Sequence, residues 1–202
     1  MSWILLTMLL PALWSAGAAG EDTAFRIAPH AGGRAFGSFE DSAGGRRDLE
    51  ESGVVALALE LRHGPDSWWQ LWYSRQATRI PQPAGRLDVD VEVPHVGGTA
   101  PIAVHDRWRS FISGGLGATR LSPGRTGLDD ETRGSVSLGV GLERPLGRRS
   151  ALRLEARGYL TLLDSDSAIF CRTGADDDAC RILARGKTLF QAELLAGIAF
   201  GW

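Results

Sequence analysis

The sequence predicts an all-β protein: an eight-stranded antiparallel up-and-down transmembrane β-barrel, preceded by a cleaved signal peptide. Three observations predict it. Eight segments alternate apolar with polar or small residues at a period of two. An uncharged apolar run opens the chain, and the final alternating segment ends on an aromatic residue, Trp202. Successive side chains of a strand point to opposite faces, so each such segment has one apolar and one polar face.

Residues Trp3 to Trp14 carry no charge, and Ser15-Ala16-Gly17-Ala18-Ala19-Gly20 follows as a small-residue cleavage region. This pattern reads as a secretory signal over 1–20, cut between Ala18 and Gly20, with the barrel over 21–202. The alternative is an uncleaved membrane anchor. The run is short for a spanning helix, and Pro11 interrupts it. No basic residue precedes it, so only the amino terminus supplies positive charge, and no Cys near the cut offers a lipid anchor.

The strands follow in order. The first, about 23–37, sets Phe25, Ile27, Pro29, Ala31 and Ala35 outward against Arg26, Ala28, His30, Gly32 and Arg34. The second, 53–63, sets Val55, Leu57, Leu59 and Leu61 against Ala56, Ala58, Glu60 and Arg62. The third, 67–78, places Trp69, Leu71 and Tyr73 opposite Gln70, Ser74 and Gln76; Trp72 breaks the polar face and Arg75 the apolar one. The fourth, 88–100, alternates Asp88, Asp90 and Glu92 with Val89, Val91 and Val93, and the valines are expected to face lipid.

The fifth, 107–120, sets Trp108, Ile112, Leu116 and Ala118 against Arg107, Arg109, Phe111 and Ser113. The sixth, 133–144, sets Val136, Leu138, Val140 and Leu142 against Arg133, Ser135, Ser137 and Glu143. The seventh, 150–161, sets Leu152, Leu154, Ala156 and Leu160 against Arg153, Glu155, Arg157 and Tyr159. The eighth, 187–202, sets Leu194, Ala196, Ile198, Phe200 and Trp202 against Gln191, Glu193, Gly197, Ala199 and Gly201. Gly64-Pro65-Asp66, Pro101–Asp106 and Pro145–Arg149 read as short turns; 38–52, 79–87, 121–132 and 162–186 read as longer loops.

Alternation alone does not say which face is wet. A soluble barrel turns its apolar face inward, a membrane barrel outward. The charged parity is nearly balanced: Glu60, Asp88, Asp90, Glu92, Glu143, Glu155 and Glu193 against Arg26, Arg34, Arg62, Arg107, Arg109, Arg133, Arg153 and Arg157. That matching suits a closed lumen, where an unpaired charge is costly. With 22 Lys+Arg against 24 Asp+Glu and no basic stripe, nucleic acid is not an expected partner.

The two cysteines, Cys171 and Cys180, flank the acidic run Asp176-Asp177-Asp178. An even pair in an exported chain is expected to form a loop-closing disulfide. The companions of a zinc site and the ligand spacing of a calcium loop are both missing, so no metal or other cofactor is expected.

Four segments carry a family resemblance: Gly32-Gly33-Arg34-Ala35-Phe36-Gly37-Ser38-Phe39-Glu40, Ser113-Gly114-Gly115-Leu116-Gly117-Ala118, Ser137-Leu138-Gly139-Val140-Gly141-Leu142 and Gly197-Ile198-Ala199-Phe200-Gly201-Trp202. On these the chain resembles the small eight-stranded outer-membrane barrels related to the outer-membrane protein A and W families. The resemblance implies the outer membrane of a Gram-negative cell, with short turns in the periplasm and long loops outside. It implies outer-membrane lipid and lipopolysaccharide as surroundings. It also implies that Phe200 and Trp202 form part of the insertion signal read by the barrel-assembly machinery. No peptidoglycan-binding domain follows the barrel in this sequence, so cell-wall tethering is not expected.

Some barrels of this size are lipid-modifying enzymes, which need His and Ser at the outer rim. Here His63 and His105 fall at short turns, His30 faces the lumen, and His95 is expected on the lipid face. No catalytic set emerges. The expected function is non-enzymatic, a structural or surface-binding role through external loops. The alternatives are a narrow pore or small hydrophobic-solute channel, and then an outer-membrane lipid-modifying enzyme.

Overall fold

The structure, a computed structural model, describes residues 24–36, 39–40, 46–47, 52–82, 85–124, 130–162, 168–169, 182–183 and 188–202. Eight long strands carry the fold: β1 (Phe25–Phe36), β2 (Ser52–Arg62), β3 (Trp68–Gln82), β4 (Gly85–His105), β5 (Trp108–Pro123), β6 (Glu131–Pro145), β7 (Ser150–Leu162) and β8 (Thr188–Gly201). Each pairs antiparallel with its chain neighbours, and β1 closes the ring on β8. Two short ladders, Phe39–Glu40 with Arg46–Arg47 and Ala168–Ile169 with Ile182–Leu183, lie within the first and last long connections.

Closure removes both sheet edges, so the strand backbone pairs within the ring. The strands are staggered as they close. A circuit of paired residues runs Arg26, Glu60, Gln70, Gly97, Gly115, Ser137, Tyr159 and Gln191, yet β1 pairs Arg26 with Gly201. That offset tilts the strands, as a barrel requires.

Burial settles which face is wet. Outward side chains form an apolar band that includes Val55, Leu71, Val96, Leu116, Leu138, Val140, Leu160 and Leu194, with Leu194 70% exposed. Arg34, Glu60, Arg153, Glu155, Arg157 and Glu193 are buried inside, none above 3% exposed. A soluble protein would not expose so continuous an apolar surface or fill its centre with charge. The arrangement matches a membrane barrel with a polar interior. Aromatic side chains mark the short-turn rim: Trp69 and Trp202 are exposed, and the Phe25 and Trp202 rings lie 6.4 Å apart. The last residue is held in place, with Trp202 N–H donating to the Phe25 carbonyl at 2.9 Å.

The structure corrects the reading of β3 and β4. The segment 79–87 is not a long loop, because β3 continues to Gln82 and β4 resumes at Gly85. Cross-strand ion pairs line this extension: Arg75 with Asp90 at 3.0 Å and Arg79 with Asp88 at 3.1 Å. The facing of β4 is also the reverse of the expectation. Val89, Val91, Val93 and His95 point into the barrel, while Asp88, Asp90 and Glu92 point out. Alternation defines two faces but not their direction. At the long-loop end the outer face carries charge, as a wall in water does, and burial favours valine inside. At its other end β4 runs on to His105, so the turn into β5 is Asp106-Arg107; Asp106 has φ 53°, a left-handed conformation that Asp tolerates.

Leu138 lies in the apolar band and is 65% exposed. Leu138→Arg should destabilise the barrel by about 2–4 kcal/mol if that position is near the bilayer midplane. Reversible urea unfolding in lipid vesicles measures it, and a change near zero would place the residue outside the hydrocarbon.

Candidate functional site

The lumen is filled by side chains that cross it. Toward the long-loop end Glu193 is the hub. It accepts from both Arg34 Nε (2.7 Å) and Nη2, from Tyr159 Oη at 2.7 Å and from Ser74 Oγ at 3.1 Å. Trp72 Nε1 donates to Tyr159 Oη at 2.8 Å, linking β3 to β7 across the barrel. In the middle, Glu155 accepts from Arg157 Nε at 2.9 Å and from Ser113 Oγ at 2.6 Å. Arg157 also donates to Gln70, which donates to Glu60, and Glu60 accepts from Arg153 Nη1 at 2.7 Å. Nearer the short turns, Arg26 donates to Glu143 at 3.2 Å.

The same guanidinium groups lie on aromatic rings: Arg157 3.9 Å from the Trp72 centroid, Arg153 4.2 Å from Phe111 and Arg26 4.0 Å from Trp68. Such contacts contribute when desolvated. Two histidines pack over glycines. His30 lies on Gly197 and His95 on Gly117, where a Cβ would overlap the imidazole and the Pro29 or Pro94 carbonyl. His95 is hydrogen-bonded to Ser137 at 2.9 Å and Ser135 at 2.8 Å. This buried set belongs to the lumen wall and not to a lipid-accessible rim.

The structure brings together Arg26, Arg34, Glu60, Glu143, Arg153, Glu155, Arg157 and Glu193 as the sequence predicts. Arg62 and Arg109 stand at the short-turn mouth, Arg62 5.6 Å from the Trp68 ring and Arg109 opposite Glu143 in the ladder. Arg133 pairs with Glu131 at the long-loop mouth. Four predicted members are misplaced. Asp88 faces outward with its β4 neighbours Asp90 and Glu92, for the reason given above, and pairs with Arg79. Arg107 sits exposed in the β4–β5 turn because β5 begins only at Trp108. Gln70, Ser74 and Ser113 also join the network, and each shares parity with the charged residues. His95 was missed with the facing of β4. Cys171 and Cys180 lie outside the described residues.

Outside the barrel, the charges misread on β4 form a ladder just beyond the apolar band. It links Arg75–Asp90, Arg79–Asp88, Arg120–Glu92 at 3.7 Å and Arg120–Asp130 at 2.6 Å, with Tyr73 Oη donating to Glu92 at 2.6 Å. The Arg120 hydrogen bond holds the Asp130 carboxyl below the ordinary aspartate range. These pairs are water-exposed and individually weak.

No protein-family model matches the sequence, and no curated protein matches it. Solved structures do match in shape. The crystal structure of Neisserial surface protein A aligns with TM-score 0.62 and 13% identity, over 90% of this chain and 100% of that one. The outer membrane protein OprG from Pseudomonas aeruginosa aligns with TM-score 0.53 and 8% identity, over 89% and 97%. The N-terminal β-barrel domain of Pseudomonas aeruginosa OprF aligns with TM-score 0.51 and 12% identity, over 89% and 100%.

Glu193→Ala should leave Arg34 buried without its carboxylate and cost about 3–5 kcal/mol. Asp90→Asn, on the outer face, should cost no more than about 1 kcal/mol. Urea melts of both variants check the contrast; equal costs would mean that the lumen is open to bulk water. A closed ring, an apolar band facing out and a lumen crossed by ion pairs thus give this chain the fold of the small eight-stranded outer-membrane barrels.

Proposed function

We propose that the protein is a non-enzymatic outer-membrane barrel with a structural or surface-binding role carried by its external loops. The plugged lumen carries this reading. Buried arginine–glutamate pairs and the Trp72–Tyr159 bridge cross the space that a general solute path would need. The barrel then serves as a rigid mount, and loops on such mounts are where binding concentrates. The connections 37–51 and 163–187 leave from one rim, which this fold class places outside the cell. We assign Cys171 and Cys180 to a disulfide that closes the longer of them. Lipopolysaccharide and other outer-membrane lipid surround the band, and Phe200 and Trp202 serve as the signal read by the barrel-assembly machinery.

A narrow pore is the second reading. It is favoured by buried polar atoms without a protein partner, among them both ring nitrogens of His30 and the side-chain amide of Gln191, which suit lumen water.

Three results would support the loop reading together. Purified barrel in planar bilayers should show no large, stable conductance. Membrane-impermeant reagents on intact cells should label 37–51 and 163–187. Non-reducing peptide mapping should recover Cys171 joined to Cys180. Steady ion flow through wild type would overturn the plugged-lumen reading in favour of the pore. For the insertion signal, the double change Phe200→Ser with Trp202→Ser should lower outer-membrane levels severalfold while the protein purified from inclusion bodies still refolds in detergent. Normal outer-membrane levels would remove the signal role.

A further inference from the structure

The short-turn rim carries charge that the lumen does not use. Arg107 in the β4–β5 turn and Arg148 and Arg149 in the β6–β7 turn are exposed. Arg144, near the end of β6, is half-buried, with its guanidinium 5.8 Å from the Trp108 ring centroid. That contact joins two hairpins whose strands are neighbours, as the Arg109–Glu143 pairing records. Exposed aliphatic side chains stand among these arginines: Ile102 and Val104 at the end of β4, and Leu146 in the β6–β7 turn.

Acid is scarce in this sector. Asp106 lies 3.7 Å from His105, and Glu143 faces the lumen against Arg26. The outer face at the other end is different, because Arg75, Arg79 and Arg120 each meet a carboxylate there. The charge therefore gathers on one part of one rim, which this fold turns toward the periplasm.

We propose that Arg107, Arg144, Arg148 and Arg149 bind the phosphates of anionic phospholipids in the periplasmic leaflet. Guanidinium forks match phosphate oxygens and keep their charge at any physiological pH. The sector stands at the rim where Trp69 and Trp202 meet the interface, so its forks reach headgroup level. Leu146 and its aliphatic neighbours favour lipid over a soluble acidic partner. Apolar side chains among cations suit the boundary between headgroups and acyl chains, and a purely ionic contact has no use for them.

The test uses the full barrel in nanodiscs made from equal parts phosphatidylglycerol and phosphatidylcholine. Native mass spectrometry reads which lipid stays bound on release. Wild type should retain phosphatidylglycerol preferentially. Changing Arg144, Arg148 and Arg149 together to Gln should reduce that preference by up to roughly fivefold per arginine. The Lys triple should keep most of it. Heat-modified gel mobility confirms that each variant folds; should the Gln triple fail to fold, Arg148→Gln alone is read against wild type. Equal retention of the two lipids by wild type, or an unchanged preference in the Gln variants, would overturn the proposal. So would displacement of phosphatidylglycerol by inorganic phosphate beyond what chloride achieves at equal ionic strength, which would make a free anion the ligand.

Discussion

Every backbone N–H and C=O within hydrocarbon must find a partner, and water supplies none there. The pairing of β1 with β8 is how this chain meets that constraint. Without it, two strands would each present an unpaired edge to lipid. Once the ring closes, the rest follows by exclusion. The outer face meets acyl chains and becomes aliphatic. The inner face is walled off from lipid, and the charges it encloses must satisfy one another. The Glu193 hub and the chain from Arg157 through Gln70 and Glu60 to Arg153 are the consequence of that enclosure.

The barrel wall does not keep one polarity along its length. Within β4, Pro94 and Val96 face out in the lower part, while Asp88, Asp90 and Glu92 face out higher up. The residues that change are outward ones, because the inward positions Val89, Val91 and Val93 would fill the centre of a soluble barrel equally well. The solvent around the wall changes from lipid to water, and the outward residues follow it. Tyr73 sits at the transition, its ring beside the apolar band and its hydroxyl on Glu92.

Most of the fold was legible because a period of two is a local signal. Seven strands showed the expected facing, and their lumen charges met as the matching of acids with arginines implied. The facing of β4 failed for one reason. On β4, Leu-Asp-Val-Asp-Val-Glu-Val reads as lipid-facing aliphatics against lumen-facing acid if the whole strand lies in hydrocarbon, and as the reverse if it stands in water. Local alternation carries no depth. Depth comes from register: Arg79 opposite Asp88 and Arg75 opposite Glu92 place the acids beside outward arginines, and that needs the three-dimensional pairing. The cross-lumen contacts were illegible for the same reason, since Trp72 and Tyr159 meet only after the ring has closed with its stagger.

The composition then acquires a physical explanation. The chain holds a single lysine, Lys187, among its 22 basic residues. A lumen this narrow asks each cation to do several things at once. Arg157 binds Glu155 through two nitrogens, donates to Gln70 and lies over Trp72. Arg34 reaches Glu193 and Ser74 while its guanidinium stands 5.6 Å from the Tyr159 ring. An ammonium has three donors around one point and no flat face to lay on an aromatic ring. It is also more readily neutralised by burial, and that would strand the carboxylates it was meant to balance. Enclosure therefore selects arginine inside the barrel, and the multidentate contacts it makes there are what fill the lumen.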